Sequence, residues 1–161
     1  MAETFGLRLL GHPANAKLLQ YFGSPSRLAG SRWADNPSCS PDTVEQPFLR
    51  LGTHPDVVEQ LWKRLATALP IECNWVVYGN PVLVNPASAV MFAFGVGTIY
   101  ALRLPNDIRE QAMKLGARSS HTFGGGSVLD LGDFGDEWVF GRWFKDEERW
   151  CLKAFEYAQS G

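Results

Sequence analysis

Residues 74–104 read NWVVYGNPVLVNPASAVMFAFGVGTIYALRL, and this stretch decides the fold. Four apolar runs, Asn74–Tyr78, Val82–Val84, Ala89–Phe94 and Thr98–Leu104, are separated by Gly79-Asn80-Pro81, Asn85-Pro86-Ala87-Ser88 and Gly95-Val96-Gly97. β-Branched and aromatic side chains suit a pleated, packed surface, whereas Gly, Pro and Asn turn the chain. Connections this short join antiparallel neighbours, because a parallel pair needs a crossover of about a dozen residues or more.

On the N-terminal side the pattern is helical up to Cys73 and alternating from there on. Thr53 is a good N-cap, Pro55 sits in the first turn where its missing N–H costs nothing, and Pro70 stops the run. Val57, Val58, Leu61, Trp62, Leu65 and Leu69 form one stripe of that helix. On the C-terminal side, Pro105 opens a helix to about Leu115 with Gly116 at C′. A hairpin is expected around Gly124-Gly125-Gly126, then a last strand at Glu137–Trp143. Asp146 then caps a helix that packs through Trp150, Cys151, Ala154, Phe155 and Ala158. The expectation is α+β: a single domain over 1–161, its antiparallel sheet built mainly from 74–104 and 121–143 and flanked by helices near 13–22, 55–68, 105–115 and 146–158. Residues 23–47, with four prolines, read as a long ordered loop or insertion that includes Cys39. The expected core is Leu61, Trp62, Leu65, Trp75, Val77, Phe92, Phe94, Tyr100, Leu102, Trp150 and Phe155.

Composition narrows the function classes. The 161 residues carry Lys+Arg 15 against Asp+Glu 17, a net charge of -2, which argues against nucleic acid because a phosphate backbone needs a basic field. No apolar run is long enough to span a membrane, and Met1–Gly11 carries Glu3 and Arg8 where a signal peptide would be apolar. No membrane partner and a cytoplasmic location are therefore expected. Cys39, Cys73 and Cys151 are too scattered for a disulfide framework, and His12, His54 and His121 lack metal-ligand spacing, so neither a metal nor a cofactor is expected. Asp133-Phe134-Gly135 lacks the other kinase signatures, and the triple glycine lacks a Walker lysine.

A weak duplication supplies the candidate site. Leu7-Arg8-Leu9-Leu10-Gly11-His12-Pro13 is echoed by Leu49-Arg50-Leu51-Gly52-Thr53-His54-Pro55. Read as two related strand-to-helix entries, they place two helix N-termini, His12, His54, Arg8 and Arg50 around a small anion-attracting pocket. The plainer alternative is that Gly-His-Pro solves one backbone problem twice, Gly turning the chain and Pro starting the helix. Trp143, between Arg142 and Phe144 and near Lys145, adds a stacking surface. The ligand-binding candidates are thus His12, His54, Arg8, Arg50 and Trp143, and the partner is a small anionic ligand or a protein. Two functional classes stay open: a noncatalytic ligand- or protein-binding and regulatory module, and a small enzyme using a histidine general base.

The residues Val77-Tyr78-Gly79-Asn80-Pro81-Val82-Leu83-Val84, Val90-Met91-Phe92-Ala93-Phe94, Ile99-Tyr100-Ala101-Leu102-Arg103-Leu104-Pro105 and Gly116-Ala117 stand in a recognisable order. Over about residues 75–158 this order resembles the TfoX N-terminal-domain-like families: glycine turn, phenylalanine strand, Tyr-x-Leu-Arg strand, short helix and Gly-Ala exit. That resemblance implies an architecture and brings no catalytic residues. The longer pattern from Leu49 onward also resembles a group of bacterial proteins without an assigned activity.

Overall fold

The computed structural model describes residues 2–22, 39–41, 59, 61–62, 69–77, 80–96, 99–118, 120–122, 128–130, 138–141 and 147–159. Its strands are β1 (Cys39–Pro41), β2 (Asn74–Val77), β3 (Asn80–Val84), β4 (Met91–Val96), β5 (Ile99–Arg103), β6 (Ser120–Thr122), β7 (Val128–Asp130) and β8 (Trp138–Gly141). Helices α1 (Ala2–Gly11) and α2 (Ala16–Phe22) precede the sheet, α3 (Asn106–Lys114) follows β5 and α4 (Glu147–Gln159) follows β8. Six strands form one sheet in the order β1-β2-β3-β4-β5-β8, and every neighbouring pair is antiparallel. The fold is α+β.

Both faces of this sheet are covered. Leu83, Phe92, Tyr100, Leu102 and Val139 share a cluster with Trp150, Cys151, Ala154 and Ala158 of α4. Trp75, Val77, Val82, Val84, Phe94, Ile99, Ala101, Trp138 and Phe140 share another with Leu9 of α1 and Leu18 and Phe22 of α2. Alternate strand residues point to opposite faces, so burial of both sets makes β2 and β3 buried along their whole length. The alternation expected from the sequence is correspondingly weak, since there is no wet face to carry polar residues. One irregularity breaks the two-residue period. Leu83 pairs with Ala93 but Val84 with Met91, leaving Phe92 as the extra residue of a bulge. Phe92 and Ala93 consequently join the same cluster, and Phe92 packs edge-on against Phe155 of α4 at 5.7 Å.

The structure corrects several expectations. Residues 2–11 are helix, so the segment before His12 is not a strand, and the helix expected near 13–22 is a 3-10 turn (Pro13–Asn15) followed by α2. Leu9 faces the sheet while Leu7 and Leu10 do not, a helical rather than an alternating distribution. Cys39 and its two successors, read as loop, form the edge strand β1 against β2. Asn80 and Pro81 are the start of β3 rather than turn; pairing with β4 begins only at Val82, so Pro81's missing N–H forfeits no rung there. The hairpin expected around the three glycines is present as β6–β7, but it is a separate two-stranded ribbon rather than part of the main sheet. It adjoins β8 through Arg118 and Phe140, which exchange backbone hydrogen bonds of 2.8 and 2.6 Å.

Of the expected core, Leu61, Trp62, Trp75, Val77, Phe92, Phe94, Tyr100, Leu102 and Trp150 are buried and Phe155 is half-buried. Leu65 and most of the 55–68 helix lie outside the described residues. The stop of α3 is as expected. Gly116 has φ 113°, Ala117 N–H donates to Ala112 C=O and Gly116 N–H to Met113 C=O, the paired bonds of a Schellman ending. Gly116→Ala should lower the unfolding free energy by about 1–2 kcal/mol, because a Cβ is disfavoured at that φ. Urea unfolding measures the loss, and an unchanged midpoint would contradict the capping role.

Candidate functional site

The candidate residues divide by location. His54, Arg50 and Trp143 lie outside the described residues, while Arg8 and His12 lie at the end of α1. His12 is half-exposed with extended backbone (φ -74°, ψ 127°), and its Nδ1 accepts a 3.0 Å hydrogen bond from Ala14 N–H. It is the N-cap of the 3-10 turn, and the cap needs the Nδ1 lone pair. The neutral ring therefore carries its proton on Nε2. His12 N–H in turn donates to Leu9 C=O at 3.4 Å, so the imidazole stands where α1 ends. A helix C-terminus is the negative end of the dipole, and the turn that follows has three residues. At this copy of the duplicated motif a helix, not a strand, precedes His12; Pro13 starts the turn as in the plainer alternative, Gly11 is the last residue of α1, and the His12 side chain caps the turn, a role neither alternative assigned to it.

Arg8 is exposed on the last turn of α1, where a cation complements the dipole. Its guanidinium lies 5.8 Å from the Phe5 ring centroid, and Nη2 donates to Ala87 C=O at 2.7 Å.

The polar feature that the sequence reading missed is Asn15. Its side chain is buried, yet Nδ2 donates to Leu9 C=O (2.9 Å) and to Ala89 C=O (2.8 Å), and Oδ1 accepts from Met91 N–H (2.9 Å). Both amide protons and one carbonyl lone pair are thus used across 76 residues of sequence. Asn85, also buried, closes the β3–β4 turn: Oδ1 accepts from Ala87 and Ser88 N–H (2.8 and 3.1 Å), and Nδ2 donates to Phe155 C=O (3.2 Å). Local Asn turns are legible from sequence, but these long-range acceptors are not.

Cys73 and Cys151 are buried thiols. Burial, and secondarily the Glu72 carboxylate, pushes the Cys73 thiol from 9.0 up to about 12. An unfolded chain gives up this proton first. The thiol's contribution to stability is whole below about pH 9 and is lost as pH rises toward 12, by at most about 1.4 kcal/mol per pH unit. Between pH 9 and 10.5 the parent should lose about 2 kcal/mol more unfolding free energy than Cys73→Ala. Equal losses by chemical denaturation would contradict this.

Among the described residues, no group of three His, Cys, Asp or Glu side chains comes together to hold a metal. No described helix is long and apolar enough to cross a membrane. The outer side of α1 exposes Leu7 (72%) and Leu10 (36%). No family model, curated protein or solved structure matches the chain.

Proposed function

We propose that this chain is a noncatalytic binding and regulatory module. The observation that carries the reading is the bonding of His12. A general base must offer its lone pair to a substrate proton, and His12 spends the Nδ1 lone pair on Ala14 N–H while Nε2 carries the proton. Asn15 and Asn85, both buried, are likewise engaged with backbone groups, so these polar side chains hold the fold. Leu7 and Leu10, exposed one turn apart on α1, offer a protein partner an apolar contact, and half-exposed His12 and exposed Arg8 offer a small anion their remaining N–H donors. The buried thiols of Cys73 and Cys151 support a reducing, cytoplasmic setting. The resemblance to the TfoX N-terminal-domain-like families over about residues 75–158 is part of this proposal as an architectural relation and rests on the order of sequence motifs alone.

The test is a thermal-shift screen against phosphate, sulfate, nucleotides, small metabolites and divalent metals, with turnover followed for each compound and self-association followed by sedimentation. Binding should raise the melting temperature with ligand concentration, about 2.7 kcal/mol of stabilisation at a hundredfold excess over Kd, without turnover. Turnover that His12→Ala or His54→Ala abolishes would overturn the reading in favour of a histidine-based enzyme. Imidazole resonances titrated with sulfate and phosphate decide whether His12 and His54 take part.

A further inference from the structure

The turn between β3 and β4 is bonded to helices on both sides of the sheet. On the N-terminal side, Arg8 Nη2 donates to Ala87 C=O, Asn15 Nδ2 donates to Ala89 C=O, and Met91 N–H donates to Asn15 Oδ1. On the other side, Asn85 Nδ2 donates to Phe155 C=O and Ser88 Oγ donates to Ala158 C=O at 2.7 Å, both within the last two turns of α4. The carbonyls at a helix C-terminus have no partner within the helix, so Ser88 supplies one from the turn.

The turn itself has one internally consistent conformation. Ala89 N–H donates to Asn85 C=O (2.8 Å), Asn85 N–H donates to Val90 C=O (3.0 Å), and Val90 N–H donates to Ser88 Oγ (3.3 Å). Ala89 closes it with φ 64°, a left-handed backbone that a residue with a Cβ adopts only when its surroundings impose it. If Ala89 relaxed to negative φ, its carbonyl would swing away from Asn15 and Ser88 would leave Ala158. The two sets of bonds therefore depend on the same few dihedrals.

We propose that this turn is a conformational joint that couples the docking of α1 and the 3-10 turn on one face of the sheet to the seating of the C-terminal end of α4 on the other. Loosening either layer loosens its opposite through residues 85–91. This holds whether or not the binding reading above is correct.

Amide hydrogen exchange on the full chain tests it, with Arg8→Ala and Ser88→Ala. Arg8 is exposed, so its truncation leaves the core intact and keeps the test valid even where Ser88→Ala fails to fold. Arg8→Ala should raise exchange in the last turn of α4 at least about threefold while α3, which shares no bond with the turn, stays unchanged. Ser88→Ala should raise exchange at Asn15 and Met91 by a similar factor. In the double variant the combined factor at α4 should fall short of the product of the single factors, because both substitutions release one joint. Changes confined to the substituted side, a uniform rise that includes α3, or factors that simply multiply would each overturn the proposal.

Discussion

Asn15→Ala is expected to lower the unfolding free energy by about 3–5 kcal/mol. The truncation deprives Ala89 C=O and Met91 N–H of the side chain that pairs them, and a buried polar group left without a partner costs about 1–3 kcal/mol. Leu9 C=O loses Nδ2 as well but keeps the longer bond from His12 N–H. Loss of the amide also leaves a small void in a site that is 1% exposed. For a chain of this length the melting temperature should fall by roughly 10 °C. Asn15→Asp separates the hydrogen-bond loss from the void, since it keeps the volume and one acceptor but turns the donating nitrogen into an oxygen facing two carbonyls. It should be at least as damaging at pH 7 and partly recover in acid, where a protonated carboxyl can donate. A loss below about 1 kcal/mol for the alanine variant, the range of ordinary surface sites, would show that Asn15 is not a structural hub.

Phe94→Ala is expected to cost a similar amount, about 3–5 kcal/mol. Phe94 is fully buried on β4 and meets Phe22 of α2 edge-on at 5.3 Å, Trp138 of β8 at 5.2 Å and Phe140 of β8 at 6.4 Å. It is thus the ring through which a helix and the far edge of the sheet touch a central strand. Its removal loses the transfer free energy of the ring and leaves a cavity that three rigid aromatic neighbours fill poorly. Phe94→Leu should cost less, about 1–2 kcal/mol, because it restores much of the volume without the edge-to-face geometry. Denaturant unfolding gives both values, and equal costs for the two variants would contradict the aromatic contribution.

Among the central strands, the break between β3 and β4 was legible because Asn85-Pro86 interrupts the apolar run where the chain turns, whereas Gly95 and Val96, read as turn, are the last two residues of β4 and pair with Tyr100 and Ile99. Gly116 and the apolar face of α4 were legible for the same reason: local chemistry dictates them. What was not legible depended on distant partners. Leu7, Leu9 and Leu10 lie among too few residues to separate helix from strand; the sheet face that buries Leu9 settles the choice. Cys39–Pro41 carries no strand signal of its own and becomes a strand because β2 offers an edge. Of the candidate site, Pro13 as the start of a helical turn was legible, since proline suits the first helical position, but the capping bond of the His12 side chain was not. Asn15 was not, because an asparagine beside a helix start reads as local capping, and nothing near it announces acceptors at Ala89 and Met91.

The sheet order has a consequence for how the chain acquires its shape. Strands β2 to β5 follow one another in space as they do in sequence, so their pairing closes only short loops and forms early at little entropic cost. Helices α1 and α2 are made before these strands, yet Leu9, Leu18 and Phe22 acquire their cover only when Phe94, Ile99, Trp138 and Phe140 have been made and arranged. The newly made N-terminal segment must therefore wait with its apolar side in water, exposed to chaperones or to association with other chains, until the strands that receive it have left the ribosome.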